Sequence, residues 1–85
     1  MIKKELWKNL SAEEIRLYFL LIIKGDKNEG KGSLSLREIN HHLGLEFTQN
    51  DLKKAVDKLQ KFHLIKITSF KRYHIQFELK FPEFL

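Results

Sequence analysis

The stretch Ser35–Ile65, SLREINHHLGLEFTQNDLKKAVDKLQKFHLI, reads as two short helices joined by a tight turn and followed by the start of a strand. Ser35 and Glu38 form a capping box, in which each side chain can satisfy the other residue's orphan backbone N–H, and Leu36, Ile39 and Leu43 follow as an apolar stripe. Gly44 ends that helix, since the residue after a helix commonly turns left-handed and only glycine does so without strain. Thr48 and Asp51 repeat the box in weaker form. Leu52, Ala55, Val56, Leu59 and Phe62, three and four residues apart, give the second helix its buried face.

From Leu64 the period changes to two. Ile65 and Ile67 alternate with Lys66 and Thr68, and Ile75, Phe77, Leu79 and Phe81 alternate with Gln76, Glu78 and Lys80, which predicts a two-stranded hairpin over 64–81 with one face on the core. Pairing Ile67 with Phe77 puts Lys71, Arg72 and Tyr73 at the tip, where no Asn-Gly pair announces the turn type. On the N-terminal side, Ser11 and Glu14 form another capping box and Leu10 is placed to staple onto Ile15. The helix they open, over 11–24, is apolar nearly all round from Ile15 to Ile23, so it must be covered on more than one side. Before it, residues 1–10 form an extension that carries Ile2, Leu6, Trp7 and Leu10 on one side of a helix. Leu6 and Trp7 either fold back onto the domain or meet a second copy, and the apolar end Phe81-Pro82-Glu83-Phe84-Leu85 poses the same choice for Phe84.

The order helix (11–24), helix (35–43), turn, helix (48–62) and hairpin resembles the bacterial and archaeal winged helix-turn-helix superfamily. The residues that carry the likeness are Leu36, Ile39, Leu43, Gly44 and Leu45, then Leu52, Ala55, Val56 and Leu59, then Leu64 and Ile65. Members often end the second of these helices in LxxxGLI. This chain has His63 where the glycine stands, so a non-glycine residue must take that helix end, in the left-handed region, and the turn before Thr48 is about two residues longer than usual. The likeness covers roughly 10–81 and is specific for fold far more than for function. It implies an α+β, mainly α fold, a three-helix core with a C-terminal two-stranded β-hairpin wing, in one domain over 1–85. A very short strand at Ser33-Leu34 pairing with the hairpin is implied as well.

In such a fold the helix 48–62 would be the recognition helix and double-stranded DNA the partner. The charge agrees with this. The chain carries a net charge of +5, and the segment 48–74 holds Lys53, Lys54, Lys58, Lys61, Lys66, Lys71 and Arg72 against Asp51 and Asp57 alone, which accounts for the whole excess. Opposite the apolar face, at about 100° per residue, the helix presents Asn50, Lys53, Lys54, Asp57 and Lys61. Thr48, Gln49 and Asn50 open it, and amides suit an adenine edge because they donate and accept at once. Lys53, Lys54, Lys58 and Lys61 are assigned to phosphates, and Lys71, Arg72 and Tyr73 to backbone or minor groove at the wing tip. The reading is a DNA-binding protein of the transcription-regulator kind, acting as a homodimer through Leu6, Trp7 and Phe84 on a two-fold symmetric site. A replication-initiation domain of primosome or plasmid-initiator type, and a winged helix used only for protein–protein contact, are the alternatives.

Other classes find little in the chain. It has no cysteine, hence no disulfide or thiol chemistry, and its longest apolar run, Leu17–Ile23, is far short of the ~20 residues of a membrane span. A cytoplasmic protein is expected. Gly25-Asp26-Lys27-Asn28-Glu29-Gly30-Lys31-Gly32 approaches the phosphate-binding pattern GxxxxGK[ST], but Gly32 replaces the magnesium-binding hydroxyl and Asp26 and Glu29 would repel phosphate. His41 and His42 are adjacent and so diverge on a helix, and His63 and His74 lie on other elements without cysteine support. Neither catalysis, a metal, a cofactor nor a small-molecule ligand is expected.

Overall fold

The computed structural model describes residues 8–80. Among them are three helices and three strands in the order α1 (Ala12–Lys24), β1 (Lys31–Ser35), α2 (Leu36–Leu43), α3 (Gln49–Lys61), β2 (Ile65–Lys71) and β3 (His74–Leu79). Each helix begins at a complete capping box: Ser11 with Glu14, Ser35 with Glu38, Thr48 with Asp51. These local pairs set where each helix starts, because they satisfy N–H groups that have no partner inside the helix.

Helix ends are equally local. Gly44 takes the left-handed conformation (φ 64°, ψ 35°), and its N–H and that of Leu45 both reach the Asn40 carbonyl. His63 does the same after α3 at φ 60°, with Leu64 N–H donating to the Leu59 carbonyl at 3.0 Å. A non-glycine residue therefore does sit in the left-handed region there. The five-residue link between α2 and α3 is held by one side chain. Asn40 Nδ2 donates to the Phe47 carbonyl at 3.0 Å while its Oδ1 accepts from Phe47 N–H at 2.9 Å, as a neighbouring strand would do. Arg16 on α1 adds a cation at the other vulnerable point, donating to the carbonyl of Leu43 at the C-terminus of α2.

The hairpin expected to have two strands is part of a three-stranded antiparallel sheet in the order β1-β3-β2. Local pattern understated β1, whose sequence KGSLS buries only Leu34. It is made a strand by pairing with β3 from Lys31↔Glu78 to Ser35↔His74. On β2 the pairs run from Ile65↔Leu79 through Ile67↔Phe77, and the extra residue Thr68 forms a bulge before Ser69↔Gln76. The inner face carries Leu34, Ile65, Ile67, Phe70, Ile75, Phe77 and Leu79, and the outer face is polar. Gly32 is required on the inner face, since a Cβ there would lie 2.7 Å from the Phe77 ring.

The core is a single cluster in which Leu17, Tyr18, Leu20 and Leu21 of α1 meet Ile39, Leu52, Val56, Leu59, Ile75 and Phe77. Tyr18 is buried, its hydroxyl has no hydrogen-bond partner among the described residues, and burial raises its pKa. α1 is not covered all round by the described residues: Phe19 is 49% and Ile23 75% exposed.

The Asn40 clamp predicts a specific loss. Asn40→Ala removes both hydrogen bonds to Phe47 and leaves its partly buried N–H and C=O unpaired, so it should destabilise the domain by about 2 kcal/mol in urea unfolding. A loss below about 0.5 kcal/mol would mean that water replaces the clamp.

Candidate nucleic-acid interface

α3 buries Leu52, Ala55, Val56 and Leu59 and leaves Gln49, Asn50, Lys53, Lys54, Asp57 and Lys61 exposed. The turn 62–64 sends β2 back along the helix. At one end Gln60 Oε1 accepts from Ile67 N–H at 2.9 Å, so a helix side chain satisfies the free edge of β2. Further along, Ile67 and Phe70 form one wall of a groove of about 330 Å³ whose other wall is Gln49, Asn50, Lys53, Val56, Asp57 and Gln60. Phe70, the last inward residue before the hairpin tip, thus lines the same groove as Gln49 and Asn50 in the first turn of α3.

That tip is a two-residue turn, Arg72-Tyr73, between the pair Lys71↔His74. Both residues have positive φ, 39° and 62°, as in the type I′ turn that normally uses Asn-Gly. Neither is glycine, so the turn is strained. It is also docked, since the Tyr73 carbonyl accepts from Leu36 N–H, the first residue of α2, at 2.6 Å. The Tyr73 ring remains exposed.

The seven bases of segment 48–74 separate into two groups. Lys58 lies half-buried and pairs with Glu14 of α1 at 3.3 Å, and Lys66 stands on the outer sheet face opposite Glu78. Glu78 has a lowered pKa, first through its hydrogen bond and ion pair with Lys80 and then through Lys31 and Lys66. Lys53, Lys54, Lys61, Lys71 and Arg72 are exposed and make no ion pair among the described residues. The free cations thus lie on α3 and the hairpin tip, with Asn50 and Gln49 between. Thr48 is committed to capping, its Oγ1 accepting from Asp51 N–H at 3.1 Å. Leu6, Trp7 and Phe84, the expected dimer contacts, lie outside the described residues.

Two residues that sequence reasoning passed over matter to this surface. Gln60 fixes β2 against α3, and Asn40 fixes α3 against α2. A partly apolar environment at Gln60 hinted at the first, and nothing local marked the second. The loop is shorter than expected, since Lys31 and Gly32 belong to β1; residues 25–30 join a helix to a strand rather than a strand to a helix, and Asp26 is used internally, accepting from Asn28 N–H at 2.9 Å. Among the described residues no three of His, Cys, Asp or Glu gather as metal ligands would, and no helix is long and apolar enough to cross a membrane.

No protein-family model matches the chain, and no curated protein is similar enough in sequence to indicate a family.

Two outcomes are expected of this region. Asp51 has a lowered pKa because its carboxylate accepts from Thr48 N–H. A lowered native value means that its contribution is present above the ordinary carboxylate range, about pH 4, and is lost as pH falls through the native value. Asp51→Asn should therefore melt lower than wild type at neutral pH, with the gap closing below about pH 4. Equal gaps across the pH range would show that the charge of Asp51 is not what caps α3. At the tip, Arg72→Asn/Tyr73→Gly should raise stability by about 1–2 kcal/mol in chemical denaturation, since a left-handed non-glycine residue costs roughly 1 kcal/mol and asparagine relieves only part of that.

Proposed function

We propose that this chain is a winged helix-turn-helix domain that binds double-stranded DNA, with α3 in the major groove and the hairpin tip, the wing, on flanking backbone. The observation that carries it is the groove in which Gln49, Asn50 and Lys53 of α3 face Ile67 and Phe70 of β2, with Lys54, Lys71, Arg72 and Tyr73 exposed on the same two elements and the turn that follows β2. An α-helix fills a major groove, its first turns reach base edges, and amides there can discriminate adenine. Lys53, Lys54 and Lys61 neutralise phosphates and release counterions, which supplies affinity without sequence information. Lys58 contributes little, being held by Glu14. Lys71 and Arg72 take the backbone beside the groove that α3 occupies, and the Tyr73 ring is free to pack on a sugar.

The order of elements supports the same reading, since a short strand between the first two helices pairs with the last strand of the hairpin as the superfamily would require. Base-reading amides in the first turn favour a sequence-specific role, a small transcriptional regulator, over purely backbone-directed binding. A homodimer would match a two-fold symmetric site.

Fluorescence anisotropy with random-sequence duplex DNA tests this. Wild type should bind with an affinity that falls steeply between ~50 and ~200 mM salt, and Lys53→Glu/Lys54→Glu should weaken binding and lower the salt slope by about two, one per lost phosphate contact. Absence of binding by wild type even at ~50 mM salt would overturn the proposal, as would binding that the double change leaves untouched.

A further inference from the structure

One outward residue of α3 does not fit a surface that only binds phosphates. Asp57 is exposed and shares its face with Asn50, Lys53, Lys54 and Lys61. The other acid of the helix, Asp51, is accounted for by the cap at Thr48. Asp57 has no such role. Lys53 and Lys61 lie four residues before and after it, the spacing at which a helix surface pairs opposite charges. Even so, Asp57 makes no ion pair among the described residues. Across the groove toward β2 it meets Ile67 and Phe70, whose side chains offer no donor.

We propose that Asp57 reads a base and selects cytosine. The inference rests on the DNA-binding reading above and adds to it the identity of a second base. A carboxylate only accepts hydrogen bonds. Phosphates are closed to it by charge, and guanine N7 and O6 and thymine O4 are closed to it as acceptors. The donors in the major groove are the N4 amine of cytosine and the N6 amine of adenine. Adenine N6 stands beside N7, an acceptor that the second carboxylate oxygen would face, so cytosine is the better partner. The position on the helix agrees. Asp57 follows Asn50 by seven residues, which places the two within about 20° of each other around the helix and ~10 Å apart along it. At ~3.4 Å per base step that is about three base pairs. The helix then carries an adenine reader in its first turn and a cytosine reader two turns on, with Lys53, Lys54 and Lys61 beside them for phosphates. A carboxylate among three lysines weakens binding to every sequence that gives it no donor. It therefore works by rejecting wrong sites as well as by holding the right one.

Selection of bound duplexes from a random-sequence library by the full chain, followed by sequencing, tests this. Wild type should enrich a motif with cytosine preferred at one position, about three base pairs from an adenine. With Asp57→Asn, whose amide both donates and accepts, that position alone should change from cytosine to adenine. With Asp57→Ala the position should lose its preference, while affinity for random duplex at ~50 mM salt rises because a repulsion is gone. Replacing the cytosine–guanine pair in a selected duplex should cost wild type at least about fivefold in affinity and Asp57→Ala less than about twofold. A motif that neither variant alters would overturn the assignment of Asp57 and leave DNA binding standing. So would an alanine variant that binds every sequence more tightly by one common factor, or wild-type binding with no enriched motif. If wild type binds no duplex at all, the DNA-binding reading falls and this inference falls with it. Asp57 lies outside the buried cluster, so both variants should melt as wild type does, and circular dichroism checks that they do.

Discussion

The position of β3 between β1 and β2 is the constraint on which the rest of this small structure depends. It is the last described element in the chain, yet it pairs with the strand that follows α1 and with the strand that follows α3. Its inward residues Ile75 and Phe77 are fully buried against the helices. With β1 on one side, the turn Arg72-Tyr73 is carried to the start of α2, where the Tyr73 carbonyl takes a helix N–H. With β2 on the other, the sheet edge is laid along α3 and sealed by Gln60. A domain of this size buries a modest fraction of its surface, so each element has to contribute to one core. β3 makes that possible by bringing residues from both ends of the chain into it.

Much of this was legible because it is locally encoded. Three capping boxes fix three helix starts within four residues each, and the structure contains all three. Gly44 and His63 mark the helix ends through backbone conformation, and His63 takes the left-handed region without being glycine, at some cost in strain. Strict alternation gave the pair Ile67 opposite Phe77, but beyond it the bulge shifts the register, so that Lys71 pairs with His74 in the strand rather than standing in the tip with Arg72 and Tyr73. The third strand was a different matter. KGSLS has one buried residue and two small polar ones, so no period-two signal could declare it, and only the family likeness suggested that Ser33-Leu34 pairs at all. Its strand character comes from β3, a partner far away in sequence, from Lys31↔Glu78 to Ser35↔His74. The bulge at Thr68 and the role of Asn40 were equally hidden, since both are consequences of packing.

The candidate surfaces divide along the same line. Helical periodicity put Asn50, Lys53, Lys54, Asp57 and Lys61 on the exposed face of α3, and that is where they stand. Periodicity could not say that Lys58, one step further round, would fall against Glu14 of α1. That depends on how two helices cross. It also could not separate the apolar residues of α1 into a fully buried side, with Leu17 and Leu21, and a less buried side, with Phe19 and Ile23, because a helix apolar all round carries no direction.

Several features run against the stability of the isolated domain, and they coincide. Lys54 and Lys58 repel each other at i and i+4, and Lys53 and Lys54 sit in the N-terminal half of α3, where cations gain nothing from the helix dipole. Two consecutive left-handed residues at the hairpin tip are an arginine and a tyrosine where glycine and asparagine would relieve the turn. Core packing explains neither, since none of these residues belongs to the buried cluster. Under the proposed function both fall on the surface that would meet a polyanion, where the lysines of α3 and the arginine of the turn would gain the counter-charge that the domain itself does not give them.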